Sequence, residues 1–287
     1  MIHSITLPGH GRIHAETAGQ GEPILFIHAD FVDGRMWNAV RDQLADRFLV
    51  ATFDKLGYGR SDAAVGPVPR RRELKAVVDA LDLGPLHLVG CSNGGRQALD
   101  FALEYPHLVK SLVLVNAFPS GWEPAGAPPP LILAMIEAFQ RGDLPAASEL
   151  QLQIWFDGPD RSPPSSDGLQ AARAEAALMN RVFVDRGTFF VADGIPLEPL
   201  DPPALGRLAE VGVPTLVVDG RFDWPENRRA SKILADGIAH SRLIEAEGAH
   251  VPTMEDPLAF AQLMAGFLTQ TPGQPILKVW PSSMRPI

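Results

Sequence analysis

The chain has a single cysteine, Cys91, among its 287 residues, so no intrachain disulfide can form and an oxidising compartment has left no mark. No run approaches the roughly 20 apolar residues of a membrane span, and Met1 to Gly21 lacks the apolar stretch of a signal peptide. Concentrated positive charge is missing as well: 25 Lys and Arg face 34 Asp and Glu, for a net charge of −9. The one basic run, Arg70-Arg71-Arg72, is diluted at once by Glu73 and reads as a solvated turn and helix start, not as a nucleic-acid patch. No cluster of His, Cys and Glu has metal-ligand spacing, no cofactor is implied, and no internal repeat is present. Nucleic-acid binding, membrane spanning and disulfide scaffolding are thereby excluded as expectations, and the default location is cytoplasmic.

What is present is ordinary globular material, rich in turns. The 26 glycines and 27 prolines make up about 18% of the chain, above the roughly 12% of average usage and below the roughly 25–30% at which disorder begins. With 46% hydrophobic residues, the length suits one large domain or a core with an inserted unit. Oligomeric state stays open between monomer and homodimer.

Short apolar runs recur, each followed by a Gly- or Asp-rich turn and a helical pattern. They are Ile24–His28, Phe48–Asp54, Leu86–Gly90, Leu112–Asn116, Pro214–Asp219 and Arg242–Ala246. Continuous rather than alternating Val/Ile/Leu runs suit strands covered on both faces, and hence a mostly parallel, doubly wound α/β sheet. Met1 to Glu16 alternates weakly, as an antiparallel edge hairpin would. Between about Phe118 and Leu205 the alternation stops. Leu131, Ile132, Met135, Ile136 and Phe139 form one apolar helical face, and a second helix is predicted over Leu169–Val182. The stretch reads as a helical lid over the carboxyl ends of the strands, where open α/β sheets bind ligands. The predicted division is a core of residues 1–118 and 206–270, a lid of 119–205, and an irregular Pro-rich tail of 271–287.

Gly90-Cys91-Ser92-Asn93-Gly94 matches G-x-S-x-G with a strand before it and a helix after it. The central residue of such a turn sits in unfavourable backbone geometry, and bulk at the flanking glycines would clash with it. The bend lifts the Ser92 hydroxyl to a helix N-terminus, where N–H groups favour developing negative charge. Centring the turn on Cys91 would put Val89 and Asn93 in the glycine positions, so Cys91 reads as a packed residue beneath the bend. Gly57-Tyr58-Gly59-Arg60-Ser61-Asp62 lacks the third glycine of a phosphate loop and reads as a tight turn.

Together with His28-Ala29-Asp30, Phe53-Asp54, Gly220-Arg221-Phe222-Asp223 and Gly248-Ala249-His250, these segments resemble the α/β-hydrolase superfamily, in particular its lidded esterases, enol-lactonases and perhydrolases. The resemblance spans Ile24 to Pro257 and omits the lid and the tail. It implies the α/β-hydrolase fold and a chain order of nucleophile, acid, histidine. His240 precedes the last strand, at the wrong end of the sheet, whereas His250 follows it and can reach Ser92. Asp223 follows its strand and is the expected acid, with Asp219 and Glu226 as lesser candidates; Asn116 stands where some relatives carry the acid and cannot replace it. The expected oxyanion donors are the N–H groups of Asn93 and Asp30. Ala29 replaces the family's usual glycine, and the Asp30 carboxylate is expected to point away or pair with a base.

The leading expectation is a serine ester hydrolase for small to medium apolar esters or lactones. A lactonase, perhydrolase or carbon–carbon bond hydrolase would use the same triad; a ligand-sensing receptor that keeps the triad is the lesser expectation because nothing in the sequence demands it, and an inactive relative is disfavoured by the presence of all three residues.

Overall fold

In the computed structural model, residues 1–162, 166–269 and 280 are described. The alternating start of the chain folds as an antiparallel hairpin, β1 (Ile2–Leu7) with β2 (Gly11–Ala18). The apolar runs become β3 (Glu22–Ile27), β4 (Phe48–Asp54), β5 (Leu86–Cys91), β6 (Val109–Val115), β7 (Thr215–Gly220) and β8 (Ser241–Ala246). These six pair in parallel, and β2 joins them antiparallel through β4. Among the described residues the result is one eight-stranded sheet, in the order β1-β2-β4-β3-β5-β6-β7-β8.

Helices α1 (Asn38–Leu44), α2 (Arg70–Ala80) and α3 (Asn93–Glu104) alternate with the first strands. An insertion between β6 and β7 carries α4 (Pro130–Gln140), α5 (Leu144–Leu152) and α6 (Asp167–Asp185). The second half of the core adds α7 (Pro225–Gly237), α8 (Pro252–Glu255) and α9 (Pro257–Leu268). Apolar residues on both sides of the sheet explain the continuous runs. Along β3, Ile24 and Phe26 enter a cluster with Trp37, Val113 and Phe260, while Leu25 and Ile27 enter another with Phe53, Leu99 and Phe101. The Trp37 ring lies 4.8 Å from Phe26 and 5.9 Å from Phe260, which locks α9 against the strand. Burying side chains of this size is worth about 1.5–3 kcal/mol each.

Two differences from the sequence expectation stand out, in α5 and at Arg70. Helix α5 was not anticipated; its run Leu144-Pro-Ala-Ala-Ser-Glu-Leu-Gln-Leu has little apolar periodicity. The basic run does open a helix, but Arg70 is not solvated: it is buried and paired with Glu73 at 2.8 Å and Asp193 at 2.7 Å. Of the expected tail, 271–287, all but Trp280 lies outside the described residues, and Trp280 is buried with its ring 6.3 Å from Phe260. Because β3 to β8 run parallel, the segments leaving their carboxyl ends emerge at one edge of the sheet.

Candidate active site

Ser92 follows β5 and begins the turn into α3 with φ 56° and ψ −124°, a strained conformation for a residue with a side chain. The glycines around it are set by lack of room. A Cβ on Gly90 would lie 2.3 Å from the Gly94 carbonyl oxygen, and one on Gly94 would lie 2.6 Å from the carbonyl oxygens of Ile27 and His28. Gly90→Ala is therefore expected to destabilise the protein by about 2 kcal/mol or more, through overpacking against main chain that cannot move aside. A thermal midpoint lowered by roughly 4–8 °C would show this, and an unchanged midpoint would contradict it. Cys91 is fully buried beneath the bend, its thiol pushed up by burial and by the Asp223 charge.

Asp223 Oδ2 lies 2.7 Å from His250 Nδ1, and both side chains are buried. A carboxylate only accepts hydrogen bonds, so the shared proton sits on Nδ1 and leaves the Nε2 lone pair free. Asp223 Oδ1 also accepts from the Trp224 N–H at 2.7 Å, and Asn227 Nδ2 reaches both carboxylate oxygens at 3.1 and 3.2 Å. Asn227 lies four residues after Asp223, at helical spacing. Asn116, in the left-handed region with φ 45°, donates through Nδ2 to the Ala249 and His250 carbonyls at 2.9 Å each. Its Oδ1 accepts from the Gly220 N–H at 2.7 Å, which ties the loops after β7 and β8 together. The lesser acid candidates point elsewhere: Asp219 pairs with Arg228 at 3.0 Å and Glu226 with Arg229 at 2.8 Å. Ser92 and His250 line the same cavity but share no hydrogen bond.

The loop after β3 brings Asp30 beside Asn93. Neither main-chain N–H donates a hydrogen bond among the described residues; Asn93 opens α3, where first-turn N–H groups lack helical partners. The two side chains are joined, Asn93 Nδ2 donating to Asp30 Oδ2, and Asp30 Oδ1 accepts from the Lys55 ammonium. Burial opposes ionisation of Asp30, but the Lys55 charge and the bonds from Lys55 and Asn93 prevail and hold the carboxyl at about 2. Lys55 itself is fully buried, 4.7 Å from the centre of the Tyr58 ring. His28 props the loop from below, with Nδ1 2.7 Å from the Ala29 carbonyl and Nε2 accepting the Lys55 N–H at 3.1 Å. Burial and the Lys55 charge keep that ring neutral, its pKa well below the usual histidine value. Ala29 is not among the described residues with positive φ, so the alanine costs no backbone strain.

The cavity measures about 730 Å³. Its floor is Asp30, Ser92, Asn93 and His250, and the insertion supplies much of the wall, including Met135, Phe139, Trp155, Phe183 and Phe190. Trp155 and Phe190 each lie on a wide π-type helical turn, a local form often seen at functional sites. The Trp155 ring stands 4.9 Å from His250. Asp193 fastens the insertion to the core, accepting from the Tyr58 hydroxyl at 2.9 Å and from Arg70. A second depression, of about 760 Å³, lies among Arg221, Arg228 and Lys232 and includes neither Ser92 nor His250. Among the described residues no group of three His, Cys, Asp or Glu could hold a metal, and no helix is long and apolar enough to cross a membrane.

A family model described as alpha/beta hydrolase fold matches residues 22–257. The chain is 32% identical over 271 residues, 90% of this chain and 91% of the other, to the 2-hydroxy-6-oxononadienedioate/2-hydroxy-6-oxononatrienedioate hydrolase of Escherichia coli strain K12. Among solved structures it resembles a hydrolase from Pseudomonas aeruginosa PA01, with TM-score 0.74 and 23% identity over 94% of this chain and 98% of the other. It also resembles the enol-lactonase from Burkholderia xenovorans LB400, with TM-score 0.73 and 21% identity over 93% of this chain and 100% of the other.

Proposed function

Since the chain belongs to the alpha/beta hydrolase fold family, we propose that Ser92, His250 and Asp223 are its nucleophile, base and orienting acid in a serine hydrolase. The supporting observation is the 2.7 Å Asp223–His250 pair opening onto the cavity that holds the strained Ser92 bend. Ser92 Oγ attacks a substrate carbonyl carbon and its proton passes to His250 Nε2. The carbonyl π pair becomes an oxyanion, received by the N–H groups of Asn93 and Asp30; each such donor is worth roughly 3–4 kcal/mol in the transition state. Collapse breaks the bond to the leaving alkoxide, which takes the proton from His250. Water then repeats the sequence on the acyl-enzyme, releasing acid and regenerating Ser92. Residues 119–205 serve as the lid. The reading carries a small-molecule ester or lactone as substrate, no resident cofactor and a cytoplasmic enzyme.

A second reading, hydrolysis of a carbon–carbon bond, is favoured by the 32% identity to the E. coli protein. The substrate in that protein's name bears oxo, hydroxyl and carboxylate groups but no ester, so hydrolysis there breaks a carbon–carbon bond beside the oxo carbon. The same nucleophile and oxyanion donors would serve, with a carbanion leaving in place of an alkoxide. Mass spectrometry after fluorophosphonate treatment is expected to find the label on Ser92. Folded protein left unlabelled at Ser92 would refute the proposal. Assays of p-nitrophenyl esters beside a vinylogous 1,5-diketone acid then separate the two leaving groups.

A further inference from the structure

We infer that Arg96 binds a carboxylate of the substrate, so that the preferred substrates are acyl compounds with a negative charge a few atoms from the scissile carbonyl. The inference deepens the hydrolase reading and rests on it for the identity of the reacting atom. Arg96 lies one turn along α3 from Ser92, its N–H donating to the Ser92 carbonyl at 3.1 Å, and its side chain lines the same cavity. Other charges on the cavity wall are matched. Asp30 is paired with Lys55, and Asp193 with Arg70. Of the charged residues on that wall, Arg96 alone has neither ion pair nor side-chain hydrogen bond among the described residues, and its Nε is closed off from solvent without an acceptor. Asp100, the next acid along the helix, accepts instead from the Ser120 hydroxyl at 2.7 Å.

A guanidinium donor buried without an acceptor is costly, and its planar fork suits the two oxygens of a carboxylate. Four residues at 1.5 Å of rise put Arg96 about 6 Å along the helix from Ser92. A carboxylate on Arg96 and a carbonyl at Ser92 Oγ therefore fit a chain of a few carbons, as in a half-ester of a dicarboxylic acid. Asp30 and Asp193, the acids of the cavity wall, are already paired with Lys55 and Arg70, which leaves Arg96 as the charged group that can distinguish a charged acyl chain from a neutral one.

The test compares the p-nitrophenyl half-ester of glutaric acid with p-nitrophenyl pentanoate, which replaces the carboxylate by a methyl group. Wild type should favour the half-ester by about tenfold or more in kcat/KM, mainly through KM. In Arg96→Met that ratio should fall to near one, and Arg96→Lys, with charge but no fork, should lie between. A wild-type ratio at or below one, or a ratio unchanged in Arg96→Met, would overturn the inference. Should neither ester be cleaved, glutarate titrated into Ser92→Ala by calorimetry decides. Binding weakened tenfold or more in Ser92→Ala/Arg96→Met would uphold the anion site while the hydrolytic reading falls; absence of binding to folded Ser92→Ala would remove the anion site itself.

Discussion

An Asp223→Asn variant is expected to lose about ten-thousand-fold in kcat while keeping its fold, whereas Asp219→Asn should stay within a few-fold of wild type. Asparagine at 223 would turn an amide N–H toward His250 Nδ1, favouring the tautomer whose Nε2 carries the proton and cannot accept one from Ser92. Asp219, four residues earlier, is tied to Arg228 at 3.0 Å and does not meet the imidazole. Its loss leaves Arg228 still paired with Glu245 at 2.6 Å, a change worth little in activity. Steady-state hydrolysis of a p-nitrophenyl ester by both variants distinguishes the two acids. A collapse in Asp219→Asn with Asp223→Asn unharmed would move the orienting role to the other carboxylate.

Lys55→Met should cost about 2–4 kcal/mol of stability. Breaking a buried ion pair commonly costs about 3–5 kcal/mol, and the Asp30 side chain, 22% exposed, retains some solvation. The double variant Lys55→Met/Asp30→Asn should recover most of the loss, because no uncompensated charge remains; equal destabilisation of single and double variants would refute the pairing. The acid side gives an independent check. Asp30 is held at about 2 against an ordinary 3.8, so its contribution to stability is fully present above about pH 4 and disappears as pH falls through about 2. In urea titrations the gap between wild type and Lys55→Met should accordingly narrow below about pH 4. A gap independent of pH would mean that Lys55 stabilises through packing alone.

The strands were legible because burial on both faces writes itself as unbroken Val, Ile and Leu runs, and the bend was legible because Gly90 and Gly94 have no space for a side chain. The positions of Asp223 and His250 after β7 and β8 followed from chain order. Less visible were residues whose importance depends on distant partners. Lys55 is one charged residue after a strand, and nothing nearby shows that Asp30, 25 positions away, will bury its ammonium. Asn116 was read only as an absent acid, yet it fastens the histidine loop through two carbonyls. Asn227 had a local signal in its four-residue spacing from Asp223. Arg70 misled because its partner, Asp193, stands more than a hundred residues later. Arg96 gave no sign at all, since an unpaired guanidinium becomes conspicuous only when its surroundings are known.

Most of the aromatic wall facing Ser92 is delivered by a stretch of chain that contains neither Ser92 nor Asp223 nor His250. Such a stretch can mutate, or be exchanged as a cassette between homologues, without altering the Ser92 bend or the Asp223–His250 pair below it. Evolution could therefore redraw this protein's diet of molecules while inheriting its chemistry intact, and a laboratory seeking new substrates would do best to randomise the upper storey and leave the ground floor alone.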